Sequence, residues 1–373
     1  MKTIRRLIFG EIIASVGFVT LCFLALFFFF DFVDEVGQVS KGTVGGYQIR
    51  HAFLYVCMQI PNRLYELLPI TVLIGSIFVM ARLAHSSEYT ILRTSGLGPW
   101  RALRMLMGLG LVFALLTFVM GDYLAPAVDR AAQMMKARFS GSLSVGQTGA
   151  WLKEKQNFSQ YAVNVSSMTG DGQMRGIRIY EFDSRGYLRS TTEAQSGEFG
   201  ISDEWLLSQI QRVEFEPTAK SGEPDPSKGI QRQQMEQLTW PTELSAEMVS
   251  TALLRPDRMK TVDLFQYIRH LQSNAQSAQR YEIEFWRKVF YPISCLVMVI
   301  LALPFAYLHV RSGSATGYIF IGVMIGISFF LMNNVFGFIG NLHNWEPWVA
   351  AGTPGLLYLA VSLSAFGWLV LRR

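Results

Sequence analysis

The sequence has little charge for its length. Only 16% of its 373 residues are Asp, Glu, Lys or Arg and 50% are hydrophobic, whereas soluble domains carry about 25% charged residues. Cysteine is also scarce: Cys22, Cys57 and Cys295 all lie in or beside apolar runs, so we expect buried thiols rather than a disulfide framework or a metal site. The composition excludes disorder and predicts an integral membrane protein that carries one polar domain.

Catalytic and nucleotide-binding motifs are missing as well. No Gly-Lys dipeptide occurs, which excludes the phosphate-binding loop of a nucleotide-driven pump. None of the five histidines precedes a glutamate, and no G-x-S-x-G turn is present, so neither of these two hydrolase motifs is found. The net charge of +5 is spread over the membrane flanks, where Lys and Arg commonly extend toward water, and predicts no nucleic-acid partner. We expect a non-catalytic chain without a metal or cofactor.

Six runs are long and apolar enough to cross a bilayer as helices. They lie at residues Ile12–Phe30, Phe53–Met80, Leu103–Leu124, Val289–Leu308, Tyr318–Ile339 and Val349–Leu371. Lys and Arg in the termini and short loops divide ten to two between the two sides. Because the basic side faces the cytoplasm, we expect both termini there and the long segment between the third and fourth helices outside.

The outer segment, about residues 127–285, has a different pattern. Val128–Phe139 continues as a helix, and then Tyr161–Val165, Ile177–Ile179 and Trp205–Phe215 read as strands between turn signals, which predicts a β-sandwich, jelly roll or barrel. The polar stretch Pro217–Gln237 predicts a mobile loop. A helix over Thr261–Leu271 then leads back to the membrane.

Few ionisable groups lie within the apolar runs. Arg63 and Glu66 are spaced to meet on one helix face, either as a local pair beside a helix break at Pro61 or as a contact for substrate or another subunit. Asn333 and Asn334 serve either as interhelical hydrogen-bonding groups or as the lining of a lateral opening.

The loop after the second membrane helix predicts a short cytoplasmic helix. Ser86 or Ser87 suits an N-cap, Glu88 the first turn and Gly96 the C-terminal stop. From these residues alone the helix is either a solvated connector or a coupling helix that docks on a separate ATPase.

The same loop, Ser87-Glu88 followed by Ser95-Gly96, resembles the LptF/LptG family of lipopolysaccharide export permeases, and the G-type members more than the F-type. The resemblance covers nearly the whole chain, and its further segments are Gly121–Pro126, Gly149–Trp151, Ile177–Phe182, Phe265–Leu271 and Arg280–Lys288.

The resemblance implies a membrane α-helical fold, three helices plus three, with an inserted periplasmic all-β jelly roll, in a Gram-negative inner membrane. It implies a permease subunit of an ABC exporter that extracts lipopolysaccharide and passes it to a periplasmic bridge. Its partners would be a homologous F-type permease, a dimeric cytoplasmic ATPase that binds ATP and Mg²⁺, and a single-span periplasmic protein. The domains would be residues 1–126 with a coupling helix at about 84–97, residues 127–285, and residues 286–373.

Two sets of residues would carry the implied function. Those facing the ATPase would be Ser87, Glu88, Tyr89, Leu92, Arg93 and Gly96. Those near the glycolipid, with cations for its phosphates and an apolar wall for its acyl chains, would be Phe27, Phe30, Lys41, Lys136, Arg138 and Asn333. Asp31 stands where the family carries a basic residue, which argues either against phosphate contact at that point or for a contact through a divalent cation. The alternatives are a scaffold for envelope lipoproteins without transport and a membrane enzyme acting on lipids.

Overall fold

A computed structural model describes residues 2–39, 47–140, 149–156, 159–169, 172–200, 204–215, 230–246, 248–249, 256–274, 276–307 and 315–371. The chain divides into two compact units. One contains Met1–Glu35, Val56–Asp129 and Gln279–Arg373, and the other contains Val36–Tyr55 and Arg130–Ala278. We describe each unit by itself, as the helical unit and the β unit.

Within the described part of the chain, six long helices are apolar enough to span a membrane, as the sequence predicts. Three short segments extend or link the α-helices of the described residues. The α-helices are α1 Lys2–Val39, α2 Ile49–His85, α3 Glu88–Thr94, α4 Pro99–Val119, α5 Ala125–Ser140, α6 Thr261–Ser273, α7 Gln279–Ala302, α8 Ala315–Leu342 and α9 Pro347–Leu371. A π-helical turn, Met120–Leu124, joins α4 to α5, a 3₁₀ turn, Pro256–Arg258, precedes α6, and a second, Leu303–Tyr307, extends α7.

Helix α2 is the most buried of the six long helices. In its most apolar window 78% of the residues are buried, against 17% in the corresponding windows of α1 and of α8. Glycines let neighbouring backbones approach it: a Cβ placed on Gly326 of α8 would lie 2.8 Å from Ile70, and one on Gly75 would lie 2.7 Å from Val16. Small residues at such contacts are typical of membrane helix pairs, because lipid supplies no hydrophobic drive for helix association.

Two expectations about the helices are wrong. Helix α2 runs unbroken through Pro61 and Pro69, because neighbouring groups in a packed membrane helix re-satisfy the carbonyls that proline frees. Cys22 is exposed, Cys57 is half-buried and Cys295 is buried. The error at Cys22 arises because an apolar run in a membrane protein has an outward face for lipid or partners as well as a buried one.

The β unit contains one six-stranded antiparallel sheet, which confirms the inserted all-β domain. Its strands are β1 Ala150–Gln156, β2 Ser159–Met168, β3 Met174–Phe182, β4 Leu188–Phe199, β5 Glu204–Phe215 and β6 Ile230–Pro241. Each strand pairs with the next along the chain. In the described residues the order is therefore that of a meander, whereas a jelly roll in the strict sense is built from two Greek keys.

The apolar alternation of β2, β3 and β5 correctly predicts strands, and it places Val163, Val165, Ile177 and Ile179 on the buried face. The long polar loop expected at Pro217–Gln237 is wrong over its last eight residues. Residues 230–237 belong to β6, which pairs with β5 from Ile230↔Phe215 to Pro241↔Glu204. Residues 217–229 of that predicted loop lie outside the described residues.

The buried end of the sheet is built around Trp205. Its ring meets Trp240 and Phe199 edge to face at centroid distances of 5.3 and 5.8 Å, and its indole N–H donates to the Leu244 carbonyl at 2.9 Å. The large ring is fully buried and its single polar group is satisfied.

The helices predicted at Val128–Phe139 and Thr261–Leu271 are present as α5 and α6. Arg130 of α5 pairs with Asp263 of α6.

Candidate functional site

Helix α3 lies in the connection between α2 and α4 and is closed at both ends by backbone geometry. Ser87 adopts a left-handed conformation with φ of +61° and redirects the chain from α2 into α3. It stands at the N-cap position, but its side chain makes no capping hydrogen bond. At the other end Gly96 has φ of +100°, and the amides of Gly96 and Leu97 bond to the carbonyls of Arg93 and Leu92 at 3.1 Å each. This is a Schellman cap, and it confirms Gly96 as the C-terminal stop.

The two faces of α3 differ in character. Tyr89 is 3% exposed and meets the Tyr307 ring edge to face at 5.2 Å, and burial raises the pKa of Tyr89 well above its ordinary value. Leu92 packs against the same apolar core. Of the predicted ATPase-facing residues, Tyr89 and Leu92 thus point inward.

The remaining four residues of that set, Ser87, Glu88, Arg93 and Gly96, are exposed. Glu88 and Arg93 are the two charged residues of α3. A helix anchored by Tyr89 and Leu92 therefore presents an acid in its first turn and a base in its last turn to the surroundings.

A line of four contacts, here called the α1–α2 seam, joins α1 to α2 along their length. From the start of α1 to its far end the pairs are Glu11–Arg82, Val16–Gly75, Thr20–Thr71 and Asp31–Arg63. The threonine hydroxyls are 2.9 Å apart and buried, and the Glu11–Arg82 ion pair measures 2.7 Å. Polar contacts inside a membrane segment are costly unless satisfied, so each one fixes the register of α1 on α2.

The Asp31–Arg63 contact is the most elaborate of the four. Arg63 donates from Nε and Nη2 to the two Asp31 oxygens at 2.9 and 2.7 Å, and from Nη1 to Glu66 at 3.1 Å. Asn62 holds the other Glu66 oxygen at 3.0 Å. The guanidinium also lies 5.4 Å from the ring centre of Phe27, within cation–π range. Arg63 and Glu66 therefore form a pair, as the sequence predicts, and the pair is completed by α1.

The residues predicted to lie near a lipid do not form one site. Phe27 packs beneath Arg63, whereas Phe30 is 55% exposed. Lys136 places its ammonium 4.5 Å from the ring centre of Tyr55. Lys41 and the side chain of Arg138 lie outside the described residues.

Asn333 contributes through its backbone. Its carbonyl accepts a hydrogen bond from Arg287 Nη2 at 3.1 Å, while Arg287 Nη1 pairs with Glu284 at 2.8 Å. Arg287 lies against Gly337 so closely that a Cβ there would overlap the guanidinium. Arg287 thus ties α7 to α8, a role that the sequence did not identify because Arg287 reads as a membrane-flank cation.

The π-helical turn between α4 and α5 marks a second group that the sequence missed. Lys288 is buried, and its ammonium donates to the Gly121 carbonyl at 3.3 Å. The Tyr65 ring occupies the space that a side chain on Gly121 would need. It lies 4.8 Å from the ring of Tyr291. The Gly121–Pro126 segment signals this place in the sequence, but neither a π turn nor its lysine partner follows from periodicity.

Comparison with known proteins gives the family. Residues 6–372 match the model of the family described as lipopolysaccharide export system permease LptF/LptG. The chain is 28% identical over 344 residues to the lipopolysaccharide export system permease protein LptG of Escherichia coli, covering 91% of each chain. It is 26% identical to the protein of the same name from Haemophilus influenzae, covering 100% of this chain and 99% of that one. With six apolar helices, an inserted antiparallel sheet and a family match over almost its full length, the chain belongs to the LptF/LptG family of lipopolysaccharide export system permeases.

Proposed function

We propose that this chain is the G-type permease subunit of an ABC exporter that extracts lipopolysaccharide from a Gram-negative inner membrane. Both termini and α3 lie in the cytoplasm, and the β unit lies in the periplasm as the start of a bridge toward the outer membrane. The G-type assignment is supported by the two relatives named LptG. The orientation is supported by the excess of Lys and Arg in the termini and in the loop that contains α3.

The observation that best supports this transport mechanism is the way that α3 packs on the helical unit. Its buried Tyr89 fixes the helix on the helical unit, while Glu88 and Arg93 are exposed. A partner ATPase that binds this helix passes its own motion to α2 and α4, because α3 lies in the connection between them. ATP and Mg²⁺ are bound by that partner.

Lipid entry is assigned to α1 and α8. Both carry long exposed apolar faces, and each has only 17% of its most apolar window buried. The homologous F-type permease and a single-span periplasmic protein complete the opening beside these faces. Because Arg63 is engaged by Asp31 and Glu66, the phosphates of the glycolipid are met by Lys136, Arg138 and Lys41 instead.

The coupling role is tested by Glu88→Lys, with Glu346→Lys as the matched control. Glu346 is also exposed, in the connection between α8 and α9. In proteoliposomes containing the whole complex, Glu88→Lys is expected to lower ATP-driven lipid extraction by about tenfold or more, because a reversed charge meets a surface built for an acid. Glu346→Lys keeps wild-type extraction, and both variants assemble. Wild-type extraction by Glu88→Lys would refute the coupling assignment.

The headgroup role is tested by Lys136→Glu combined with Arg138→Glu. Reversal of two cations beside the lipid phosphates is expected to weaken lipid stimulation of the ATPase activity of the complex. The readout is the lipid concentration that gives half-maximal stimulation. An unchanged dose-response would show that these cations only anchor the helix.

A further inference from the structure

A cavity of about 360 Å³ lies between α7, α8 and α9 of the helical unit. Its walls are mostly apolar, and small residues, among them Ser294, Gly352 and Gly355, create the space. From Arg287 to Val297 along α7 the cavity extends about 15 Å, at 1.5 Å per residue. Pockets of about 300–1,000 Å³ are the size that holds small ligands.

The two ends of the cavity differ chemically. Arg287 and Asn333 line it near the start of α7 and the end of α8, while Val297 and Phe329 line it deeper in the helices. Arg287 donates from Nη1 to Glu284 and from Nη2 to the Asn333 carbonyl. Its buried Nε has no hydrogen-bond partner among the described residues. No acidic residue of the described chain lines the cavity.

The cavity opens at the surface of these helices. Ile293 and Leu356 line the cavity and are exposed on helices long and apolar enough to span the membrane. A water molecule needs two to four polar partners to be stable in a cavity, and the deep walls offer almost none. An acyl chain fills such a space and restores the packing contacts that its lining otherwise lacks.

The geometry points to a resident phospholipid site: one acyl chain of an anionic glycerophospholipid occupies the cavity, with its phosphodiester beside Arg287. An anionic lipid is the occupant because Arg287 is the charged side chain among the described residues that line the cavity. Its side chain is 20% exposed, and each Nη carries a second N–H besides the one that it gives to Glu284 or to the Asn333 carbonyl. Charge-assisted hydrogen bonds to phosphate are strong. The cavity accommodates one chain, so it is not the place where a many-chained glycolipid is carried. This inference does not rest on the transport function proposed above.

The chain itself offers a variant that fills the cavity and a matched control. A Cβ on Gly355, which lines the cavity, meets no atom within 4 Å, so Gly355→Leu adds a side chain at the cavity wall without a clash at its Cβ. Gly367 lies on the same helix, also has open space, and does not line the cavity. Gly367→Leu therefore adds the same side chain at an indifferent position.

The test uses the full-length chain, purified with its co-expressed partner subunits and placed in nanodiscs. The nanodiscs contain phosphatidylglycerol or phosphatidylcholine that carries a photoactivatable diazirine on one acyl chain. Cross-linked peptides are mapped by mass spectrometry. We expect phosphatidylglycerol to label cavity-lining residues of α7, α8 and α9 in wild type and in Gly367→Leu, and Gly355→Leu to lower that labelling by about tenfold or more.

Three results would overturn the inference. Equal labelling in Gly355→Leu and Gly367→Leu would show that no chain occupies the cavity. Labelling by phosphatidylcholine as strong as by phosphatidylglycerol, measured on wild type without any variant, would remove the anionic assignment. Displacement of the label by purified lipopolysaccharide would show that the cavity holds the proposed cargo rather than a resident lipid. That result would contradict this inference and leave the proposed transport function standing.

Discussion

Replacing Asp31 by Asn tests whether the Asp31–Arg63 contact of the α1–α2 seam holds α1 in place. In the protein two parallel hydrogen bonds of 2.9 and 2.7 Å join the Arg63 guanidinium to the Asp31 carboxylate. Asn keeps the size of the side chain but loses its charge and can accept with one oxygen only. Arg63 then keeps Glu66 as its remaining acidic partner.

The expected magnitude follows from the exposure of the two side chains. Hydrogen bonds to charged groups contribute about 1.5–3 kcal/mol when buried, whereas exposed ion pairs contribute about 0–1 kcal/mol. Asp31 is 16% exposed and Arg63 31%, so the pair lies between these limits. We expect Asp31→Asn to lower the free energy of unfolding by about 2 kcal/mol, which is about a 30-fold change in the unfolding equilibrium.

The assay is equilibrium unfolding in mixed detergent micelles, followed by tryptophan fluorescence. Asp34→Asn is the matched control: it removes the same charge from the same helix, and Asp34 is exposed with no ion pair to any residue that the structure describes. The double variant Asp31→Asn with Arg63→Gln closes a thermodynamic cycle whose coupling energy is expected to be about 1–3 kcal/mol. Additive single effects, or an equal loss in Asp34→Asn, would refute the role assigned to this ion pair.

Three further expectations concern packing and protonation. Gly75→Ala forces α1 away from α2 and is expected to cost about 1–3 kcal/mol in the same unfolding assay, whereas Gly108→Ala, with open space around its Cβ, is expected to cost almost nothing; equal losses would contradict the close approach. Trp205→Phe leaves the buried Leu244 carbonyl without its donor and is expected to destabilise the β unit by about 1–3 kcal/mol in thermal unfolding, so an unchanged melting temperature would contradict it. Burial lowers the pKa of His270 against the opposing effect of two nearby glutamates. Because the pKa of His270 is lower in the folded protein, the unfolded chain binds a proton more readily. The free energy of unfolding of the β unit is therefore expected to fall as pH decreases below about 6.5. His270→Gln should flatten that slope, and an unaltered slope would exclude His270 as its source.

The membrane helices were predictable because their signal is local. An apolar run of about 20 residues has few alternatives to a spanning helix, and all six are present. Gly96 was equally predictable from the sequence, because a helix that ends in a left-handed residue favours glycine there. Phe30 and Phe27 show the limit of this signal: both are apolar and both lie in α1, yet one is exposed and the other packs under Arg63.

Tertiary partners account for what the sequence could not supply. Strand β6 contains Gln231, Gln233 and Gln234 and lacks the period-two alternation of a half-buried strand; its ladder with β5 makes it a strand. Arg287 reads as a flank cation, since nothing in sequence shows that α8 offers Gly337 and a free carbonyl beside it. Asp31 was recognised as an unusual residue, but its partner stands 32 positions away on another helix.

The distribution of contacts indicates where the helical unit tolerates change. Helix α2 is the buried frame, whereas α1 and α8 attach to it through small or paired residues and leave their large apolar side chains outward. In a bilayer an exposed phenylalanine gains nothing from leaving lipid, so it contributes little to helix association, and a glycine that permits close approach contributes more. Substitutions of Gly75 on α2 or Gly326 on α8 should therefore displace these helices, while exposed residues such as Phe29 accept other apolar side chains.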